Sequence, residues 1–89
     1  MAIIELHPRW QIHYEERQMW WDLTDHINAH CETAFQHGYE EYQYDYYWEH
    51  KAKTVSYVVY FERMIVVNEE TSHPRRIRRV LLGSDRTSG

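Results

Sequence analysis

The sequence predicts an α+β domain in which a twisted antiparallel sheet of about six strands packs on one α-helix. Three observations predict it. Apolar and aromatic residues alternate with a period of two along most of the chain, one stretch switches to a helical period, and the connections are too short for parallel crossovers. The 89 residues leave room for one modest core. Four Trp and eight Tyr make that core aromatic-rich, and the large area each buries helps a short chain reach stability.

Residues 1–8 read as a lead-in ending at Pro8, although Ile3, Ile4 and Leu6 can pair with a sheet edge. Trp10, Ile12 and Tyr14 then alternate with Gln11 and His13, the pattern of a half-buried strand. Glu15 to Gln18 form a polar turn, and Met19-Trp20-Trp21 opens a second strand, which completes a hairpin. Asp22 to Asp25 read as a helix start: Asp22 or Thr24 can accept from free backbone N–H groups, and Asp25 suits the positive end. Ile27, Cys31, Ala34 and Phe35 follow at i, i+4, i+7 and i+8, an apolar stripe on one helical face. Gly38 is placed to end that helix in a left-handed conformation.

The period of two then returns. Tyr42, Tyr44, Tyr46 and Trp48 share one face of a third strand. After a polar connection from His50 to Lys53, Val55, Tyr57, Val59 and Phe61 line a fourth. Glu62-Arg63 bends the chain into a short strand from Met64 to Val67, and the segment from Asn68 to Pro74 is a loop. The last strand sets Arg75, Ile77, Arg79 and Leu81 against Arg76, Arg78, Val80 and Leu82. One domain over residues 9–82 is expected, with 83–89 a flexible tail.

The formal net charge is −4, which is not the balance of a DNA-binding domain. The charges are unevenly spread, however. Acids gather at Glu40, Glu41, Asp45 and Glu49, and bases at Arg75, Arg76, Arg78 and Arg79, so a local anion site fits an acidic protein. A single cysteine excludes an intrachain disulfide and a multi-cysteine metal knuckle. The first eight residues lack the basic and apolar regions of a signal peptide, and no apolar run is long enough to span a bilayer. An intracellular location, nuclear or cytoplasmic, without membrane contact is expected.

Catalytic signatures are missing: the chain has no glycine-rich phosphate loop and no Gly-x-Ser-x-Gly elbow. Cys31 lies on the apolar stripe and reads as a small buried thiol. No enzyme and no cofactor is expected. His26 and His30 lie four apart on the helix, but no carboxylate or cysteine at a characteristic spacing completes a metal site. The tyrosine-rich segment 39–49 is interleaved with acids, and phosphate repulsion makes it a poor nucleic-acid platform. It reads as an aromatic core face or a protein-binding face. In the last strand, arginines two residues apart can grip a phosphate through their planar forks, or they can keep an edge strand soluble. The charge pattern alone serves either reading.

An ordered set of segments resembles the WWE domain. Tyr14 to Trp21 is similar to its first hairpin, and Glu32-Thr33-Ala34-Phe35 stands at the matching distance. Tyr57 to Met64 resembles its tyrosine-to-methionine strand, and Asn68 to Thr71 with Arg75 and Ile77-Arg78-Arg79 its closing loop and basic strand. The resemblance covers about residues 10–81. It implies a half-open barrel on one helix, belonging to ubiquitin ligases or ADP-ribosyltransferases, with an end pocket for an ADP-ribose unit of poly(ADP-ribose), the iso-ADP-ribose unit included.

Carried over by position, Tyr14, Trp21, Tyr57 and Arg75 fall on ligand-binding positions, with Arg79 a further candidate on the same strand face. Trp10, Trp20, Glu32, Phe35 and Phe61 would be structural. Val66 stands where binding members have glutamine, Tyr60 where many have aspartate, and Leu23 where they have tyrosine. Losing a buried polar contact at Val66 costs about 1–3 kcal/mol. The other reading is therefore a protein–protein interaction domain of the same fold, without the ligand, that binds through segment 39–49.

Overall fold

The computed structural model describes residues 3–86. Six strands and one helix follow in the order β1 (Ile3–Tyr14), β2 (Met19–Asp22), α1 (Asp25–Gln36), β3 (Glu41–Trp48), β4 (Lys53–Tyr60), β5 (Ile65–Asn68) and β6 (Pro74–Arg86). All pairings are antiparallel. The strands form one sheet in the order β2-β1-β6-β5-β4-β3. It curls into a half-barrel whose concave face is covered by α1.

Alternation puts the expected residues on that face. Trp10, Ile12, Tyr44, Val55, Tyr57, Val59, Val66 and Ile77 are buried in one cluster with Leu23, Ile27 and Cys31 from the helical segment. Trp10, Phe35 and Phe61 meet edge-on or tilted, with centroids 5.2–5.6 Å apart. Gly38 ends the helix at φ 75°, as its position predicts. Thr24 is the N-cap residue, though its side chain makes no capping bond. Asp22 instead ends β2 and accepts a bond from Gln11.

Both ends of the expected domain differ. Residues 3–8, expected as a lead-in in which Ile3, Ile4 and Leu6 can pair with a sheet edge, do pair, with Leu81–Arg86 in continuous register. Residues 83–86, expected as the start of a tail, therefore belong to β6, while 1–2 and 87–89 lie outside the described residues. Backbone pairing of two long strands needs no burial of one face, so alternation gave no cue there. Pro8 is tolerated because β2 pairs only with residues 11–14 of β1, leaving the earlier part paired on one side.

Asn28 closes the gap left where β2 stops. Its Oδ1 accepts from the Trp10 backbone N–H at 2.6 Å, and its Nδ2 donates to the Pro8 carbonyl at 3.1 Å. A side-chain amide thus stands in for a strand neighbour and ties α1 to the sheet. Cys31 is fully buried, and burial, helped by the Glu32 carboxylate, pushes its thiol up to about 12. It stays protonated at neutral pH. Among the described residues no helix is long and apolar enough to cross a membrane.

Candidate functional site

The open end of the half-barrel holds a cleft of about 940 Å³, within the roughly 300–1,000 Å³ usual for small-molecule sites. Its walls come from the β1–β2 hairpin, the β3–β4 hairpin and the β5–β6 loop. Four of the five residues expected at a site, Tyr14, Trp21, Tyr57 and Arg75, line it together. They are far apart in sequence, and the strand order brings them to one place.

The register explains how. Val66 of β5 sits opposite Arg75 of β6, and Ile12 of β1 opposite Trp21 of β2. The Arg75 guanidinium lies 4.5 Å from the Tyr14 ring centroid. Tyr14 meets Trp21 edge-on at 5.6 Å. Tyr57 stacks on Tyr44 at 5.2 Å and accepts a hydrogen bond from Trp48 Nε1 at 2.9 Å. Burial, with Tyr57 nearby, raises the Tyr14 pKa, so its hydroxyl remains a hydrogen-bond donor through the physiological range. Trp21 is 46% exposed. An indole left this open over a concave aromatic surface costs stability and offers a stacking face.

Arg75 is held by a residue that sequence reasoning missed. Its Nη1 and Nη2 donate to the two oxygens of Glu16 at 3.1 and 3.0 Å. These bonds hold the Glu16 carboxyl below the usual carboxylate range. The fork that would grip a phosphate therefore already grips a carboxylate at the rim. Nothing local marked Glu16, a turn residue 59 positions from its partner.

Arg79 is not brought to the cleft. It shares the concave face with Arg75 but lies four residues along β6, roughly 13 Å away. Its Nε and Nη2 donate to the two Glu32 oxygens at 2.8 Å, and its guanidinium covers Phe35 at 5.1 Å. Trp10 Nε1 donates to the same Glu32 at 2.9 Å. Trp10, Glu32, Phe35, Phe61 and Arg79 thus form one locked cluster at the far end of the half-barrel. Trp20 is not part of it: it lies on the convex face, over His13 at 4.8 Å.

The turn of the β3–β4 hairpin was also illegible in the sequence. A one-turn 3₁₀ helix, Glu49–Lys51, ends at Ala52 with φ 47°, and this sharp reversal folds Trp48, His50 and Lys51 into the cleft lining. Alanine gives no cue for a left-handed position. Of the four acids expected to make this region repulsive, Glu49 alone lines the cleft, and Asp45 accepts a bond from Ser56 elsewhere. The lining carries Arg17, Lys51 and Arg75 against Glu16 and Glu49. It is locally cationic on a chain of net charge −4.

Val66 is 1% exposed and forms part of the cleft floor. Asn68, two residues on and on the same strand face, lines the cleft as well. Its Oδ1 accepts from the Glu70 and Thr71 amides at 2.9 and 3.2 Å. His26 and His30 lie on α1 with tilted rings, their centroids 4.3 Å apart. Among the described residues no group of three or more His, Cys, Asp or Glu is placed to hold a metal ion.

The family model of the WWE domain matches residues 8–79, most of the chain. No curated protein matches it.

Proposed function

The chain belongs to the WWE domain family, and we propose that it is a non-catalytic module recognising the ADP-ribose unit of poly(ADP-ribosyl)ated proteins, iso-ADP-ribose being its minimal ligand. In this reading it delivers a larger ubiquitination or ADP-ribosylation protein to its modified target inside the cell. One observation carries the proposal: Tyr14, Trp21, Tyr57 and Arg75 converge on a single aromatic cleft with a cationic rim. Trp21 and Tyr14 offer rings to adenine or ribose. Arg75 offers a fork to a phosphate, and Lys51 and Arg17 supply further positive charge. Calorimetric titration tests it. Saturable binding of iso-ADP-ribose is expected, and no heat at millimolar ligand would eliminate the reading.

The ion pair at the rim sets a direction for one further prediction. A phosphate entering the Arg75 fork must displace Glu16, and in the complex the freed carboxylate stands beside the anion. Replacing Glu16 by Gln removes both the competitor and the repulsion. The expected result is two- to fivefold tighter binding of iso-ADP-ribose, read in the same titration, and unchanged or weaker binding would show that Glu16 does not compete.

The alternative, a WWE-fold domain that engages a protein and has lost the nucleotide, is favoured by one observation. Strand β3 is an edge of the sheet and leaves Tyr47 exposed, with Tyr39 just ahead of it. Deleting segment 39–49 cannot test this, because Tyr44 is part of the core. Tyr39→Ala leaves both the core and the cleft lining intact, and loss of a protein partner in a domain that gives no heat with iso-ADP-ribose would favour the alternative.

A further inference from the structure

We propose that the convex face carries a second anion-binding surface, formed by Arg76 and Arg78 over Trp20, which takes phosphates of a further unit of the same polymer. The proposal rests on the cleft reading for the identity of the polymer. It rests on the convex face itself for the site.

Strand β6 lies between β1 and β5 in the sheet order, with residues 74–76 paired to β5 and residues 77–86 to β1, so a charged edge explains why Arg76 and Arg78 are exposed but not how they are held. Arg76 and Arg78 alternate with the buried Ile77 and are exposed, on the face opposite the helix. Among the described residues neither has a carboxylate within ion-pair distance, whereas Arg75 and Arg79 each have one and Arg9 has two. Two unpaired guanidiniums on an acidic protein are an attractive point for an anion.

The arginines are also held in place. The Arg78 guanidinium lies 4.1 Å from the Trp20 ring centroid and that of Arg76 5.5 Å from it. Arg78 Nε donates to Gln11 Oε1 at 2.9 Å, and Gln11 Nε2 donates to Asp22 Oδ1 at 2.8 Å. The stack and this chain of bonds fix the plane of Arg78 and use its Nε, which leaves its terminal N–H groups outward. Trp20 is itself supported by the buried His13. A guanidinium ordered before binding loses less rotamer freedom when it binds, which favours a bidentate contact to phosphate.

The path of the polymer follows from the chain. Arg75 and Arg76 are consecutive and point to opposite faces of the sheet, so Arg76 lies behind the cleft rim and Arg78 roughly 7 Å further along the strand. A polymer leaving the cleft beside Arg75 need only turn over that rim to meet Arg76. Arg76 and Arg78 then contact successive phosphates.

The test compares a single iso-ADP-ribose, poly(ADP-ribose) of several units, and poly-glutamate on the wild-type chain and on Arg76→Ala with Arg78→Ala. The pair Arg76→Gln with Arg78→Gln, which keeps the stems over Trp20, serves as a second variant if the first does not fold. The wild type is expected to bind polymer more tightly than the single unit. The variant should lose about tenfold in polymer affinity while keeping single-unit affinity, and two lost phosphate contacts should flatten the dependence of log affinity on log salt by roughly 1.4. Unchanged polymer affinity and salt dependence overturn the proposal. Poly-glutamate binding as tightly as the polymer, and lost in the variant, also overturns it and assigns the surface to acidic proteins. No binding of the single unit, with polymer affinity still falling in the variant, overturns the cleft reading and keeps the convex surface.

Discussion

Arg75→Ala is expected to weaken iso-ADP-ribose binding roughly ten- to a hundredfold. A charge-assisted hydrogen bond to an ionised group contributes about 1.5–3 kcal/mol, and Arg75 alone among the cleft cations is already oriented by a ring and a carboxylate. The fold should survive. The Arg75–Glu16 pair lies at the rim with Glu16 exposed, where an ion pair contributes little. Arg75→Lys separates charge from geometry. It retains the charge without the planar fork, so an intermediate affinity is expected if bidentate contact matters. Calorimetry on the three proteins checks this, and wild-type affinity in Arg75→Ala would remove the arginine from the site.

Glu32→Ala is expected to have the largest effect on stability, about 3–5 kcal/mol. The Glu32 side chain is 16% exposed. It accepts from Trp10 Nε1, from Arg79 Nε and Nη2, and from Gln36 Nε2 at 2.7–2.9 Å. Removing it strands an indole N–H and a guanidinium that covers Phe35. Against a total of roughly 5–15 kcal/mol for a small domain, the variant should be partly unfolded at physiological temperature. Urea denaturation measures the loss, and a change below about 1 kcal/mol would contradict it.

The same group gives a pH dependence. Hydrogen bonds from Arg79 above all, then from Gln36 and Trp10, hold its carboxyl down at about 2 against burial, which acts upward. The folded value is below the ordinary 4.5, so the stabilisation is present above about pH 4.5 and is lost as the pH falls toward 2. Glu32→Ala should flatten this part of the acid-unfolding curve.

These two residues also show what the sequence made legible. Strand alternation put Trp10 on the buried face, while Glu32, off the apolar stripe of the helix, could be assigned to the framework only through the family pattern. Tyr14, Trp21, Tyr57 and Arg75 could be grouped through a family pattern, and the register then brought them into one cleft. Arg79 went astray because parity gives the face of a strand but not the position along it, and four residues separate the rim from the far end. Glu16, Lys51 and the β1–β6 extension escaped for related reasons. They depend on a contact across 59 residues, on a positive φ at an alanine, and on backbone pairing that leaves no periodic trace.

The four tryptophans provide the most direct test of where the ligand sits. Trp21 and Trp48 line the cleft, Trp10 is buried against Glu32, and Trp20 lies on the convex face. Their indole N–H signals in a ¹⁵N-correlated NMR spectrum, assigned by substitution, report separately on the three places. Titration with iso-ADP-ribose is predicted to move the Trp21 and Trp48 signals along a saturating curve and leave Trp10 and Trp20 in place. Stationary Trp21 and Trp48 signals at saturating ligand, or movement confined to Trp10 or Trp20, would contradict the assignment of the cleft as the ADP-ribose site.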